Sequence, residues 1–342
     1  MNKYISPYTP SRAEIDRRYT NIRNAMQSAG LDYLIVSGSE YTGFEGAVRY
    51  MCGFHILHRY AYVVVPLAGD PVAVFPREAT WVGDHSATFI QKREFPAHCG
   101  EWIASFLKDK GARKVGVYGL EYIMTVRDYG ALQKAGFDLI DFDIPFDYAR
   151  AQKSEEEIAS VRHSMAINKA GVLAVLGAYQ EGMTEAQLMG VAEDLFASAG
   201  TARKTMDMIC TGPNGSIQPQ MIFPTGRQVR DTDAMVYGLE IAGEGGHWVE
   251  FSRVLAPKGV DATTQEMFTA YQEFHELAKA HMKAGNTAVD VHRACSKPFH
   301  DRGYRLGHVS GHSIGMTMIE MPRIGEDYDF VLPAKMVCSL LP

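Results

Sequence analysis

Two glutamates, Glu240 and Glu250, flank a glycine-rich reversal in the stretch GLEIAGEGGHWVEFSR. The apolar flanks predict two antiparallel strands, 235–242 and 247–255, joined by a turn at 243–246. Because side chains alternate along a strand, an odd-length loop puts both glutamates on one face and an even-length loop separates them. Two neighbouring carboxylates can bind a metal ion or transfer protons. A solvated edge hairpin is the alternative, although an inward carboxylate without a partner is costly.

Two further stretches carry residue types that suit a functional site. GHVSGHSIGM places His308 and His312 four residues apart, and its glycines let the backbone approach a ligand closely. Imidazole titrates near neutral pH, so these histidines are candidates for acid–base chemistry. Residues 211–227, TGPNGSIQPQMIFPTGR, have turn-forming residues at both ends and are predicted to form a loop that lines a pocket.

The order of helices and strands predicts two domains. In residues 1–150, strands alternate with helices, which is typical of an α/β domain. In residues 151–342, helices and strands fall into separate runs, which predicts an α+β domain. Three capping boxes mark predicted helix starts: Ser11 with Glu14, Ser154 with Glu157, and Thr184 with Gln187.

Composition excludes several classes of protein. The net charge of −6 argues against a nucleic-acid surface, which needs a clustered basic face. No apolar stretch has the roughly 20 residues of a membrane span, and the N-terminus lacks the apolar region of a secretory signal. Five scattered cysteines without a CxxC pair indicate neither a disulfide framework nor a zinc knuckle. We therefore expect a cytoplasmic protein without a nucleic-acid or membrane partner.

Five stretches together resemble the pita-bread family, which includes creatinase, prolidase, aminopeptidase P and methionine aminopeptidase. In chain order they are ARAQKSEEEIASVRHSMAIN, TGPN, EIAGEGGHWVEFSR, GHSIGM and VLPAKMVCSLLP. TGPN is similar to the family's SGPN loop, and GHSIGM is similar to GHGIG and to the GHSFG of creatinase. The resemblance extends from about residue 15 to residue 342, and it implies the pita-bread fold for the second domain.

The family's metal ligands are two Asp, one His and two Glu, and this sequence departs from that set. The matching positions are Glu240, Glu250, His312 and Leu341, and the sequence stops before the fifth. Divalent ions such as Mg²⁺ and Mn²⁺ favour several oxygen ligands, so we expect no metal and no other cofactor. We also expect the second domain to lack its last strands, because relatives continue past this point.

Two more comparisons with the family concern its metal-free members. Glu240 followed by Ile-Ala-Gly resembles ectoine hydrolase and other metal-free relatives. In creatinase-like enzymes, a histidine after the SGPN loop is the suspected general base. Gln220 and Met221 occupy the nearest positions here, so the general base is left open.

Two arginines resemble those that hold the substrate carboxylate in creatinase. Arg323 lies twelve residues after Gly311, as in creatinase, and Arg59 lies in the matching loop of the first domain, offset by about two residues. A guanidinium can bind a carboxylate through two parallel hydrogen bonds. In the family this loop reaches the pocket of the neighbouring subunit, so the resemblance implies a homodimer.

These features predict a metal-independent, creatinase-like hydrolase of a C–N bond in a small carboxylated substrate. Glu240 is expected to orient water or the scissile group, and His312 to act as an acid–base group or oxyanion donor. Glu250 is expected to hold His312 or a cation of the substrate. The predicted substrate-binding residues are Arg59, Arg323, His308 and Glu320.

Three other functions are compatible with the sequence. A lyase or isomerase would use the polar pocket without the hydrolytic machinery. An Xaa-Pro metallopeptidase would use Glu240, Glu250 and His312 as ligands of a single metal ion with one open position. A binding protein would use the fold without catalysis, although the chain lacks the long acidic tail that such relatives carry.

Overall fold

Packing divides the protein into two compact units. The computed structural model describes residues 6–41, 43–80, 88–201, 203–204, 208–213 and 223–341. The first unit comprises Met1–Gln152 together with Met316–Met321, and the second comprises Lys153–Gly315 together with Pro322–Pro342. The chain therefore passes between the units three times, whereas a single boundary at residue 150 was predicted from the sequence.

A six-stranded mixed sheet forms the centre of the first unit. Its order is β4-β3-β2-β1-β5-β6, with β1 antiparallel to β2 and parallel to β5. The strands are β1 (Tyr33–Ser39), β2 (Tyr60–Pro66), β3 (Val72–Val74), β4 (Lys92–Glu94), β5 (Val115–Tyr118) and β6 (Leu139–Asp141). The helices are α1 (Arg12–Ser28), α2 (Gly46–Cys52), α3 (Cys99–Asp109), α4 (Val126–Lys134) and α5 (Asp143–Ala149), with a short 3₁₀ helix at Arg77–Ala79.

The central strands of this sheet are buried on both faces, whereas the edge strands β4 and β6 are partly exposed. Leu34, Ile35 and Val36 of β1 are fully buried, and they divide between two separate apolar clusters. Continuous apolar strands of this kind are typical of α/β proteins. At the start of α1, the Ser11 side chain accepts a hydrogen bond from the backbone N–H of Glu14, as the first capping box predicts.

A charged cluster lies buried in the first unit, at the end of α5. The Arg150 guanidinium contacts Asp147 Oδ1 at 2.7 Å and Glu320 Oε1 at 3.1 Å, and its side chain is 1% exposed. It also donates to the Tyr118 hydroxyl and to Thr317 Oγ1. Burial raises the pKa of Asp147 to about 6; the nearby Glu320 charge adds to the rise and Arg150 opposes it.

The second unit combines a helical layer with two antiparallel sheets. Its helices are α6 (Glu155–Ala178), α7 (Glu185–Ser198), α8 (Ala262–His281) and α9 (Ala288–His300). Its strands are β7 (Arg203–Lys204), β8 (Met208–Pro213), β9 (Asp233–Ala242), β10 (Trp248–Leu255), β11 (Gly311–Ser313), β12 (Glu320–Ile324) and β13 (Cys338–Leu340). In one sheet β9 pairs with β10 and also with β7 and β8, and in the other β11 lies between β12 and β13.

Local capping determines where α6 and α7 begin. Ser154 and Glu157 form a reciprocal capping box at the start of α6, and Thr184 and Gln187 form one at α7, so both predictions are confirmed. The apolar faces of α6 and α7 pack on β9 and β10 in one cluster, while α8 and α9 enclose a second one. Within the described ranges, no helix is long and apolar enough to cross a membrane.

Candidate active site

Glu240 and Glu250 face each other across the β9–β10 hairpin. Their Cα atoms are direct partners in the antiparallel register, so both side chains lie on the same face of the sheet. The register pairs Ala242 with Trp248, which makes the connection five residues long. The turn is thus one residue longer than predicted, and the odd-length alternative is the one that the protein adopts.

The opposite face of this hairpin is buried in the core, which fixes the direction of the glutamates. Val249, Phe251 and Leu255 pack against α6 and α7. Because side chains alternate along β10, Glu250 must then point away from that core. Gly238 lies opposite Ser252 on the glutamate face, where a Cβ atom would lie 3.1 Å from Ser252 Oγ.

His312, on β11, is held beside Glu250. Its Nε2 atom lies 3.6 Å from Glu250 Oε1, and the two side chains are 6% and 8% exposed. Its Nδ1 atom lies 2.9 Å from the Ser313 carbonyl oxygen, which can only accept a hydrogen bond. The Nδ1 atom therefore carries a proton, and the Nε2 atom faces the carboxylate.

The surroundings of Glu250 favour its protonated form. Burial raises the pKa of Glu250 above its ordinary value, while a hydrogen bond with the Ser339 side chain and the charge of His308 lower it. Its Oε1 atom is buried and has no hydrogen-bond partner among the described residues. A buried oxygen of this kind is available to a ligand or to a proton in transfer.

Ser339 is a site residue that the sequence analysis missed. It lies on β13 as the direct partner of His312, and its side chain reaches Glu250. Gly311 makes this approach possible, because a Cβ atom there would lie 2.1 Å from the Ser339 carbonyl oxygen. Ser339 lies in the VLPAKMVCSLLP stretch, two residues before Leu341, and this position next to a family ligand position is the sequence feature that could have indicated it.

Polar residues on α6 anchor the turn of the hairpin, and they too were missed. His247 Nδ1 lies 2.9 Å from Ser160 Oγ, and His247 Nε2 lies 3.7 Å from Glu157 Oε1. Ser164 Oγ donates to the His247 carbonyl oxygen and accepts from the Gly243 N–H. The capping box that begins α6 thereby also fixes the hairpin that carries the two glutamates.

The predicted substrate-binding residues of the second unit are exposed. His308 lies on the segment before β11, with Nδ1 2.6 Å from the Val309 carbonyl oxygen. Arg323, on β12, is exposed and has no ion pair with any residue that the structure describes. Gln220 and Met221 lie outside the described residues, so the position of the missing general base stays untested.

The predicted substrate-binding residues of the first unit have partners there. Arg59 has a left-handed backbone, with φ of 67°, and its guanidinium lies 3.7 Å from Glu78 on the surface. Glu320 is 1% exposed and contacts Arg150 and the Thr317 N–H. We predicted that Glu320 lines the substrate site; its contacts within this unit are those of a buried ion pair, which the sequence could not indicate.

Two family models match this chain, and each covers one of its two successive parts. The model of metallopeptidase family M24 matches residues 159–342, and that of the creatinase/prolidase N-terminal domain matches residues 18–152. The chain belongs to metallopeptidase family M24. This M24 chain has the fold of prolidase from Pyrococcus horikoshii, with a TM-score of 0.79 over 94% of this chain and 89% of that one. The sequence identity is 18%, so this likeness shows the fold alone. The predicted fold, an α/β domain followed by an α+β pita-bread domain, is confirmed.

The curated relatives of this M24 chain are peptidases by name. It is 24% identical over 199 residues to an uncharacterized peptidase of Methanocaldococcus jannaschii, of which it spans 56%. It is 25% identical over 336 residues to an Xaa-Pro dipeptidase of Lactobacillus delbrueckii, covering 94% of this chain and 88% of the relative. The comparisons therefore support the pita-bread family as a whole, without favouring its creatinase-like or metal-independent members.

The donor set of the M24 chain does not fit the two-metal centre that the family implies. By the resemblance described above, Glu240, Glu250 and His312 match three of the ligand positions, and Leu341, which matches a fourth, has no donor atom. Across the described part of the chain, no three His, Cys, Asp or Glu residues come together in a group that could hold a metal ion. Residues 214–222, which the structure does not describe, contain none of these residue types.

Proposed function

We propose that this M24 chain hydrolyses a C–N bond in a small carboxylated substrate, and that Glu250 and His312 handle the protons. The observation that supports this most directly is the buried contact of 3.6 Å between Glu250 Oε1 and His312 Nε2. Burial raises the pKa of Glu250, and the Ser313 carbonyl fixes the proton on His312 Nδ1, so His312 Nε2 faces a carboxyl group with which it can exchange a proton.

The reaction needs one group that accepts a proton and one that donates a proton. Glu250, as the carboxylate, takes a proton from the attacking water, whose oxygen bonds to the carbon of the scissile bond. His312, protonated at Nε2, gives its proton to the leaving nitrogen as the C–N bond breaks. Glu240, directly opposite Glu250, orients the water or the scissile group.

The carboxylate of the substrate is assigned to arginine. Arg323 is exposed on β12, and a guanidinium binds a carboxylate through two hydrogen bonds. Arg59 is the second proposed anchor, supplied by the neighbouring subunit of a homodimer. Its exposed contact with Glu78, at 3.7 Å, is weak enough to be exchanged for a substrate.

An Xaa-Pro metallopeptidase with a single metal ion is the second candidate. The names of the relatives favour a peptide substrate over a non-peptide one, since they include an Xaa-Pro dipeptidase aligned over 94% of this chain. The donor set favours the first candidate, because the described residues offer no metal-binding group of three. Both candidates hydrolyse a C–N bond, and they differ in the metal and in the substrate.

Metal content and turnover distinguish the two candidates. We expect fewer than about 0.1 metal ions per purified chain by elemental mass spectrometry, because hard ions need more oxygen ligands than this site offers. Turnover would be sought with amidines, ureas, lactams and betaines, and with Xaa-Pro dipeptides. One bound Mn, Zn, Fe or Co per chain, together with dipeptide cleavage, would establish the peptidase instead.

The assignment of the proton-handling pair is tested by substitution. Glu250→Gln and His312→Ala are each expected to lower kcat by at least about 100-fold, the usual contribution of an acid–base group. Glu276→Gln and His281→Ala, at exposed positions on α8, are the matched controls. Full activity of both site variants on the true substrate would refute the assignment.

A further inference from the structure

A cavity of about 580 Å³ lies in the second unit, beside the C-terminal end of α9. Its lining includes His292 and His300 from the helix, and Arg305 and His308 from the segment that follows. Among the residues that the structure describes, no acidic one lines it. The volume lies within the range of small-molecule sites, which is about 300–1,000 Å³.

Arg305 stands apart from the other cations of this region. It is exposed, and no carboxylate in the described part of the chain pairs with it. Its neighbours in sequence are already engaged: Arg293 pairs with Glu326, Lys297 with Asp301, and Arg302 with Glu273. The acids near the cavity are thus neutralised by other residues, which leaves the lining itself basic.

Three of the residues that line the cavity are histidines. Three histidines around one cavity could suggest a transition-metal site, but they do not form a metal-binding group among the residues described. His292 Nδ1 is bonded to Ser310 Oγ at 2.8 Å, and His308 Nδ1 to the Val309 carbonyl at 2.6 Å. These two rings are therefore each oriented by a hydrogen bond at Nδ1, and the guanidinium of Arg305 is the group that donates to an anion.

His308 connects this cavity with the candidate active site. It belongs to the cavity lining, and its charge lowers the pKa of Glu250. His308 also precedes His312 by four residues, on the segment that leads into β11. This segment therefore joins the lining of the cavity to the candidate active site.

We propose that this cavity binds a second oxyanion group of the substrate, a carboxylate or a phosphate besides the carboxylate assigned to Arg323, with Arg305 as the principal contact and His300 and His308 beside it. The inference rests on the proposed function in one respect: the anion is taken to be part of the substrate that the Glu250–His312 pair would hydrolyse. The guanidinium of Arg305 presents paired N–H donors that match the oxygens of either group. Neither Arg59 nor Arg323 is part of this site.

Anion binding can be measured without turnover. Inorganic phosphate and succinate would each be titrated into the full chain at pH 7 and constant ionic strength, and followed by isothermal calorimetry. Arg305→Gln is expected to weaken binding at least 10-fold. Arg113→Gln, which removes the same charge from an exposed position in the first unit, is the control and is expected to leave binding unchanged.

The two probes and one further variant separate the outcomes. Binding of phosphate alone identifies a phosphorylated group, and binding of succinate alone identifies a carboxylate. Binding of neither probe, or equal weakening by both arginine variants, overturns the proposal. Glu250→Gln is expected to bind the anion as well as the wild type does. A failure of the proposed hydrolysis would therefore not refute the anion site. A failure to bind the anion would likewise not refute the Glu250–His312 pair.

Discussion

Replacing Arg150 by methionine tests whether charge compensation stabilises the buried cluster of the first unit. The substitution keeps an unbranched side chain but leaves Asp147 and Glu320 without their cation, at positions where they are 6% and 1% exposed. Breaking a buried ion pair from one side costs about 3–5 kcal/mol. This is a large part of the roughly 5–15 kcal/mol by which a domain is stable.

The same magnitude follows from the protons that the variant must bind. At pH 7, protonating both acids from their ordinary pKa values costs about 8 kcal/mol. In the folded wild type, the rise in the pKa of Asp147 from 3.8 to about 6 already costs about 3 kcal/mol of stability at pH 7. The difference is about 5 kcal/mol at pH 7 and falls to about 1 kcal/mol at pH 5, where both acids are easily protonated.

The sign of the pH dependence is therefore part of the prediction. Between pH 4 and 6 the folded wild type holds a proton on Asp147 that the unfolded chain has lost, so the contribution of Asp147 to stability falls as the pH rises. For Arg150→Met we expect a steeper fall that continues above pH 6. Urea denaturation followed by circular dichroism at pH 5 and pH 7 measures both.

The control is Arg293→Met, which breaks an exposed pair with Glu326 and is expected to cost at most about 1 kcal/mol at either pH. If Arg150→Met were equally destabilising at pH 5 and pH 7, lost packing rather than uncompensated charge would be the cause, and the reasoning would fail. If the variant does not fold at pH 7, its recovery at pH 5 is itself the expected result.

Two further predictions concern the candidate site. Gly311→Ala should destabilise the protein by about 3 kcal/mol or more, because its Cβ would lie 2.1 Å from the Ser339 carbonyl oxygen. Gly307→Ala, whose Cβ would lie in open space, is the control and should leave the stability unchanged. Equal melting temperatures of the two variants would contradict this. His308→Gln should move the acidic limb of the pH–rate profile to higher pH, because His308 lowers the pKa of Glu250, and a shift to lower pH would show that another group controls that limb.

The helix starts could be predicted because capping is local. Ser154 and Glu157 are three residues apart, and the capping box that they form depends on little else. The pairing of Glu240 with Glu250 could not be settled, because a change of one residue in the turn reverses the face of every side chain. Packing of Val249 and Phe251 against α6 selects the observed register, and that contact is not visible in the hairpin sequence.

The residues that sequence reasoning missed share a physical feature: their partners are distant along the chain. Ser339 reaches Glu250, and Ser160 reaches His247, across strands and helices that local patterns do not relate. Glu320, a predicted substrate-binding residue, pairs with Arg150, which lies 170 residues earlier in the chain. Motif matching proposed the candidate reactive residues of the second unit, whereas the residues that support them could be identified only in the folded protein.

The return of Met316–Met321 to the first unit has a consequence for synthesis on the ribosome. Arg150 and Asp147 are translated long before Glu320 and the Met321 N–H that Asp147 binds. At about 5–20 residues per second, that delay is roughly 10–30 s. During this time the N-terminal unit lacks part of its interior, so it cannot complete folding ahead of the rest of the chain. The two halves of this protein must therefore mature together, although the packing of each looks self-contained.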